Sequence, residues 1–136
     1  MAGPRYARSA LKRGELEDIH GALLRALDGP PALYLKLDLT LAQLSASAGV
    51  AAHHASQAIS EISGGSFYDL LTARRVAEAQ RRLLDPANAQ VAVDVLGTEA
   101  GFRSRSAFYA AFKAATGATP AEYRKSGGKI VSMTPG

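Results

Sequence analysis

The side chains best suited to catalysis or metal binding lack the spacing that either chemistry requires. His53 and His54 are adjacent, so on a helix their rings point apart, and neither has a His, Asp or Glu four positions away. No G-x-S-x-G motif marks a nucleophilic serine, and the lack of cysteine excludes thiolates, disulfides and sulfur-bound zinc. The sequence therefore predicts a non-enzyme without catalytic residues, cofactor or metal.

The excess of basic residues lies in the second half of the chain. Residues 1–65 hold six Lys and Arg against six Asp and Glu, whereas residues 66–136 hold ten against six, giving a formal net charge of +4. Such a surplus suits a polyanion partner, although many solvated surfaces carry as much. No apolar run approaches the ~18 residues of a membrane span. No signal peptide follows Met1, so we expect a cytoplasmic location.

The elements that position these side chains are predicted to be helices throughout. Apolar residues recur with a helical period and alternating runs are short, so the sequence predicts an all-α fold. An amphipathic helix is expected over residues 15–28, with one apolar stripe made of Leu16, Ile19, Leu23 and Leu27. Further helices are predicted over residues 40–48, 51–63, 66–84, 93–100, 104–117 and 119–125. The aromatic residues expected to pack the core, rather than to stack on bases, are Phe102, Phe108, Phe112 and Tyr123.

Short helix, turn and longer helix occur twice in this order. A helix pair with a turn of three to four residues is a helix-turn-helix, whose second helix fits the major groove of DNA. The predicted organisation is an N-terminal connector (1–37), a domain over 38–125 and a flexible tail (126–136). Within the domain we place the first helix-turn-helix at about 40–64, a linking helix at about 66–84 and the second helix-turn-helix at about 92–117.

A long, specific run of residues resembles the second half of AraC/XylS-type DNA-binding domains. The run comprises Gly101-Phe-Arg-Ser-Arg-Ser-Ala-Phe108, Phe112-Lys113, Gly117, Thr119-Pro120 and Tyr123-Arg124. The resemblance extends back through Leu83-Leu84, Arg75-Val and Phe67-Tyr-Asp-Leu-Leu to Gly49-Val50 and Leu41, and so covers roughly residues 38–125. It implies a bacterial transcription regulator that places two recognition helices in major-groove segments about 34 Å apart on one face of the duplex.

The resemblance also implies which side chains touch DNA. Base contacts are expected from His53, Ser56, Gln57, Arg105, Ser106 and Tyr109. Phosphate contacts are expected from Arg74, Arg75, Arg103 and Lys113. Arginine can donate two hydrogen bonds to guanine, and glutamine can pair bidentately with adenine. Residues 51–63 contain no Lys or Arg. We therefore expect the first helix-turn-helix to recognise DNA more weakly than the second.

Three positions depart from the family pattern. Gly97 stands where alanine is usual, Ala92 where a Ser or Thr cap is common, and Ala55 where a larger apolar residue is usual. A glycine inside a helix and a missing cap each cost about 1 kcal/mol, so these departures are expected to lower stability.

The first 37 residues allow two interpretations. They are similar to family members in which the DNA-binding domain follows a membrane sensor, in which case Arg5, Arg8, Lys12 and Arg13 are juxtamembrane and residues 15–28 transmit a signal. The alternative is an ordinary packing helix in a free-standing regulator. The expected partners are double-stranded DNA, RNA polymerase for an activator, and a sensor or dimerisation domain. No small-molecule site is evident, and a degenerate helix-turn-helix used for protein contact or signal transmission remains the alternative function.

Overall fold

The computed structural model describes residues 11–129, and within that range the chain is helical without a strand, as the sequence predicted. The α-helices are α1 (Arg13–Asp28), α2 (Leu41–Ala48), α3 (Ala52–Ala58), α4 (Phe67–Leu84), α5 (Val93–Glu99), α6 (Arg105–Thr116) and α7 (Pro120–Lys125). Short 3-10 turns lie at Leu33–Leu35 and Pro86–Asn88. Arg5, Arg8 and residues 130–136 of the predicted tail lie outside the described residues. None of the described helices is long and apolar enough to cross a membrane.

Local side-chain caps explain where several helices begin. The Thr40 hydroxyl accepts a hydrogen bond from the Gln43 amide at 3.1 Å, and the Gln43 side chain accepts one from the Thr40 amide at 3.0 Å. Thr119 and Glu122 form the same reciprocal pair at the start of α7. Both capping boxes satisfy backbone donors that the first helical turn leaves without a partner. By contrast α5 starts at Ala92 without a side-chain cap, as the sequence predicted.

The helix predicted over residues 51–63 is divided in the structure. Its first part is α3, and Ile59–Ser63 continues as a π-helical turn, in which the Ser63 hydroxyl donates to the Ile59 carbonyl at 2.6 Å. Gly64 ends the turn with a φ of 77°, in the left-handed region that glycine adopts without strain.

The chain forms two compact units, and the first consists of residues 11–33 with Leu39–Leu70. In this unit α1 packs against α2 and α3. The buried apolar residues are Leu16, Leu23, Leu27, Leu39, Leu44, Ala55, Ala58 and Ile59. Because the stripe of α1 closes this core, α1 belongs to the first unit.

The second unit consists of Tyr34–Asp38 with the described residues from Leu71 onward. Its core combines Val76, Ala79, Leu83, Leu96, Ala100, Phe102, Phe108, Phe112 and Tyr123. Phe108 and Phe112 meet edge to face with ring centroids 5.8 Å apart, and Phe112 meets Tyr123 in the same way at 5.2 Å. The prediction that these aromatic residues pack the core is confirmed.

Gly97 is required by the packing of this core, so the expectation that it lowers stability relative to alanine is wrong. A Cβ atom at this position would lie 2.3 Å from Cδ2 of Phe108, whose ring is buried against Phe102 and Phe112. Contacts under 3.0 Å essentially never occur for a real Cβ. Helix propensity favours alanine by only about 1 kcal/mol, whereas overpacking a filled core costs about 1–3 kcal/mol.

Gly97→Ala is therefore expected to lower the free energy of unfolding by about 1–2 kcal/mol, because the clash outweighs the propensity gain. Urea unfolding of both proteins measures the difference. A suitable control is Gly14→Ala in α1, where nothing lies within 4 Å of the added Cβ and a gain in stability is expected. A Gly97→Ala protein as stable as the original would contradict the packing argument.

Candidate functional site

Helix α6 presents one polar face and one apolar face. Ser104 begins the helix by accepting a hydrogen bond from the Ala107 amide at 3.0 Å. Phe108 and Phe112, four residues apart, lie in the core. The other side of the helix carries Arg105, Ser106 and Lys113, which are exposed, and Tyr109, which is half-buried. The structure therefore brings together the three base-reading residues predicted for the second unit.

Arg105 and Tyr109 are held by an acid from the preceding helix. The Tyr109 hydroxyl donates to Oδ1 of Asp94 at 3.1 Å, and Nε of Arg105 lies 3.4 Å from Oδ2 of the same carboxylate. The guanidinium carbon of Arg105 lies 4.8 Å from the Tyr109 ring centroid, within range of a cation-π interaction. The pKa of Arg105 is raised by the Tyr109 hydroxyl first and by the charge of Asp94 second.

Asp94 was not among the residues that the sequence singled out. It lies 11 positions before Arg105, on another helix, so neither a helical period nor a capping motif connects the two residues. The contact is created by the turn between α5 and α6, which brings the two helices together.

The first unit offers a less basic set of candidates. His53 and Ser56 are exposed on α3, and the His53 and His54 rings lie 4.1 Å apart between centroids. Gln57 is half-buried, and its Nε2 donates to Oε2 of Glu61 at 3.1 Å. Reading a base with this amide therefore requires the Glu61 contact to rearrange. Across residues 11–129 no group of three or more metal-binding side chains comes together.

The predicted phosphate contacts occupy different environments. Lys113 is exposed, Arg74 is half-buried, and Arg103 is exposed but forms an ion pair with Asp38. Arg75 is only 7% exposed. Its Nε donates to the Tyr34 carbonyl at 2.8 Å and its Nη2 donates to the Lys36 carbonyl at 2.6 Å.

Arg75 therefore does not fit the phosphate role expected from the resemblance. Its guanidinium holds the segment Tyr34–Asp38 inside the second unit, and it is left out of the DNA contacts proposed below. Gly101 lies against this arrangement with a φ of 106°. A Cβ there would meet both the Tyr34 carbonyl oxygen and Nε of Arg75 at 2.7 Å.

Two further arginines of α4 are paired within the same unit. Glu78 accepts hydrogen bonds from Arg81 at 2.5 Å and from Arg82 at 2.7 Å, and Tyr34 donates to it at 3.1 Å. Burial alone would raise the pKa of Glu78, but the hydrogen bonds from Arg81 and Arg82 outweigh burial and hold that pKa below its ordinary value. We therefore add neither arginine to the candidate contacts.

Comparison with known proteins gives a consistent picture. Residues 44–126 match the family model of a helix-turn-helix domain. A protein of unknown function from Listeria innocua is 27% identical, with a TM-score of 0.58 over 68% of this chain and 84% of that one. The C-terminal domain of AraT, a response regulator from Geobacillus stearothermophilus, is 25% identical, with a TM-score of 0.64 over 86% and 88%.

A third solved structure is the DNA-binding domain of the global transcriptional factor AdpA in complex with a target DNA. It is 24% identical, with a TM-score of 0.65 over 84% of this chain and 96% of that one, and so resembles this chain in fold. No match was found among curated protein sequences.

Proposed function

This chain belongs to the AraC-type helix-turn-helix family, and from that premise we propose that it binds double-stranded DNA sequence-specifically and regulates bacterial transcription. The family is one of DNA-binding regulator domains rather than of enzymes. The observation that carries the proposal is the solvent-facing side of α6, where Arg105, Ser106 and Tyr109 lie together on a helix whose opposite face is fixed in the core. The related AdpA domain, named as DNA-binding, was solved on a target DNA.

The second unit is the stronger reader in this proposal. Arg105 is exposed and always charged, so its terminal nitrogens can donate to O6 and N7 of one guanine. Ser106 adds a short polar contact, and Lys113 suits a phosphate. In the first unit His53, Ser56 and Gln57 supply weaker contacts, because Ala52–Ser63 contains no Lys or Arg.

The phosphate contacts in the proposal are Lys113, Arg74 and Arg103. Lys113 needs no rearrangement, whereas Arg103 must leave Asp38 or share its charge with it. Each phosphate neutralised releases condensed counterions, so the logarithm of the binding constant should fall with the logarithm of salt by about 0.9 per contact. The three proposed phosphate contacts therefore predict a fall of about 2–3 in the logarithm of the binding constant per unit of the logarithm of salt.

Besides DNA, the proposed function includes two protein partners. An activator of this family would contact RNA polymerase, and a sensor or dimerisation domain would lie N-terminal to α1. Because α1 packs directly on α2 and α3, movement of α1 would reach the first helix pair without an intermediate element. The proposed route for a signal is therefore from α1 into the first unit.

The deciding experiment is selection from a random duplex library at several salt concentrations, followed by sequencing of the bound DNA. We expect an enriched motif with two segments about one helical turn apart, the segment read by α6 being the more sharply defined. One segment alone would assign a structural role to α3. Weak binding without enrichment would reject sequence-specific DNA recognition by this chain and favour the protein-contact alternative.

Arg105→Ala is expected to reduce discrimination at one base position by about 1–3 kcal/mol and to leave the other positions nearly unchanged, because it removes a bidentate donor. The matched control is Lys113→Ala on the same helix. It should weaken all sequences alike and reduce the salt slope by about one. Competition binding with single-base variants of the selected motif separates the two patterns, and an equal loss on every sequence for both variants would contradict base reading by Arg105.

A further inference from the structure

Asp94 places a negative charge beside the surface that the proposed function assigns to DNA. The Asp94 side chain is 51% exposed. It lies beside the side chain of Arg105, which is 68% exposed. An acid at this place repels DNA phosphates and lowers affinity for every sequence. The contacts of this carboxylate with Arg105 and Tyr109 provide a compensating role.

Both carboxylate oxygens of Asp94 face residues of α6. Oδ1 accepts the Tyr109 hydroxyl hydrogen bond at 3.1 Å, and Oδ2 lies 3.4 Å from Nε of Arg105. Arg105 and Tyr109 are four residues apart, and the guanidinium lies over the ring at 4.8 Å from its centroid. The three side chains form one group, in which the carboxylate lies beside Nε of the guanidinium and the tyrosine ring lies against its face.

This arrangement leaves a specific part of Arg105 for a base. The carboxylate faces Nε, whereas the pair of donors that matches O6 and N7 of guanine consists of the terminal nitrogens Nη1 and Nη2. A long, exposed arginine otherwise loses considerable rotamer freedom when it binds, and holding it in advance reduces that loss.

We propose that Asp94 is a positioning residue for base recognition, which orients Arg105 and Tyr109 and at the same time weakens non-specific attraction to the phosphate backbone. The inference rests on the proposed function, since it concerns how Arg105 reads its base. The carboxylate raises specificity in two ways. It orients Arg105 for the correct base, and it disfavours DNA binding through charge alone.

The test compares Asp94→Ala and Asp94→Asn with the unchanged protein on the selected duplex, on variants at the base read by Arg105, and on unrelated DNA. For Asp94→Ala we expect affinity for unrelated DNA to rise about 2–5-fold at low salt, because a repelling charge is removed. Discrimination at the base read by Arg105 should fall about 3–10-fold. Asp94→Asn retains an acceptor for Tyr109 but loses the ion pair. Its discrimination should therefore lie between that of the unchanged protein and that of Asp94→Ala.

The matched control is Glu99→Gln, which removes an equal charge from the same helix at a residue that pairs with Arg82 instead. It should leave discrimination unchanged. In the Arg105→Ala background, Asp94→Ala should cause no further loss of discrimination at that base, because the side chain that it positions is absent. Thermal unfolding of each variant reports any general loss of structure.

The outcomes separate this inference from the proposed function. If the unchanged protein shows no base preference, the proposed function fails. If it shows a preference that Arg105→Ala removes but Asp94→Ala leaves intact, the positioning role is overturned. A parallel loss of affinity on all DNA together with lower thermal stability would also overturn it, because a purely structural residue behaves in that way.

Discussion

Replacing Arg75 by methionine is expected to lower the free energy of unfolding by about 2–4 kcal/mol, because hydrogen bonds from a charged donor to two carbonyls are lost. Methionine keeps an aliphatic stem of similar length, so the change isolates the guanidinium. The carbonyls of Tyr34 and Lys36, which accept at 2.8 and 2.6 Å, would then have to find other donors. Urea unfolding, with the midpoint and slope compared between proteins, measures the effect.

Arg75→Lys separates this structural role from the phosphate role that the family resemblance suggests. A phosphate contact tolerates lysine, since it needs only a positive charge at the right distance. The pair of carbonyls needs the fork of donors that only arginine presents in a fixed plane. We therefore expect Arg75→Lys to be destabilised by about half as much as Arg75→Met. Full stability with weakened DNA binding would instead restore Arg75 to the phosphate contacts.

Gly101→Ala is expected to cost about 3–5 kcal/mol, because two separate penalties act at the same atom. The φ of 106° is unfavourable for an L-residue, and the added Cβ would lie 2.7 Å from the Tyr34 oxygen and from Nε of Arg75. The backbone oxygen cannot move without displacing the segment that Arg75 holds. The free energy of unfolding from urea titration is again the measurement.

The contribution of the clash can be separated from that of the backbone angle. Gly49→Ala is the matched control, since Gly49 has a φ of 76° but nothing within 4 Å of an added Cβ. It should cost only about 1–2 kcal/mol, the price of the left-handed conformation. In the Arg75→Met background part of the Gly101→Ala penalty should vanish, because the methionine methyl group that takes the place of Nε is not hydrogen-bonded to the two carbonyls and can move away from the added Cβ. Equal costs for the two alanine variants would contradict the steric account.

Features determined by nearby residues could be predicted from the sequence. The capping box of Thr40 and Gln43 is a contact across three positions, so residue types alone indicated where α2 begins. The spacing of Phe108 and Phe112 likewise indicated which face of α6 enters the core. The same local rules fail at Gly97, because the atom that excludes a Cβ belongs to Phe108 on another helix.

The two misjudged or missed site residues have different explanations. Arg75 lies four residues after Leu71 and four before Ala79, both buried, so helical spacing could have placed it on the inner face of α4. The family resemblance obscured that signal. Asp94 had no such signal, because its contacts with Arg105 and Tyr109 depend on how α5 and α6 pack.

Tyr34–Asp38 belongs to the second unit, whereas residues 11–33 and Leu39–Leu70 form the first, so neither unit is one continuous stretch of chain. The polypeptide passes from one unit to the other three times, at residues 33/34, 38/39 and 70/71. No single cut of the chain can yield both units intact. A recombination event that separates the chain at any one bond leaves at least one unit without part of its sequence. The two helix-turn-helix units therefore repeat the same order of helices, but neither can be exchanged as one continuous segment of the chain.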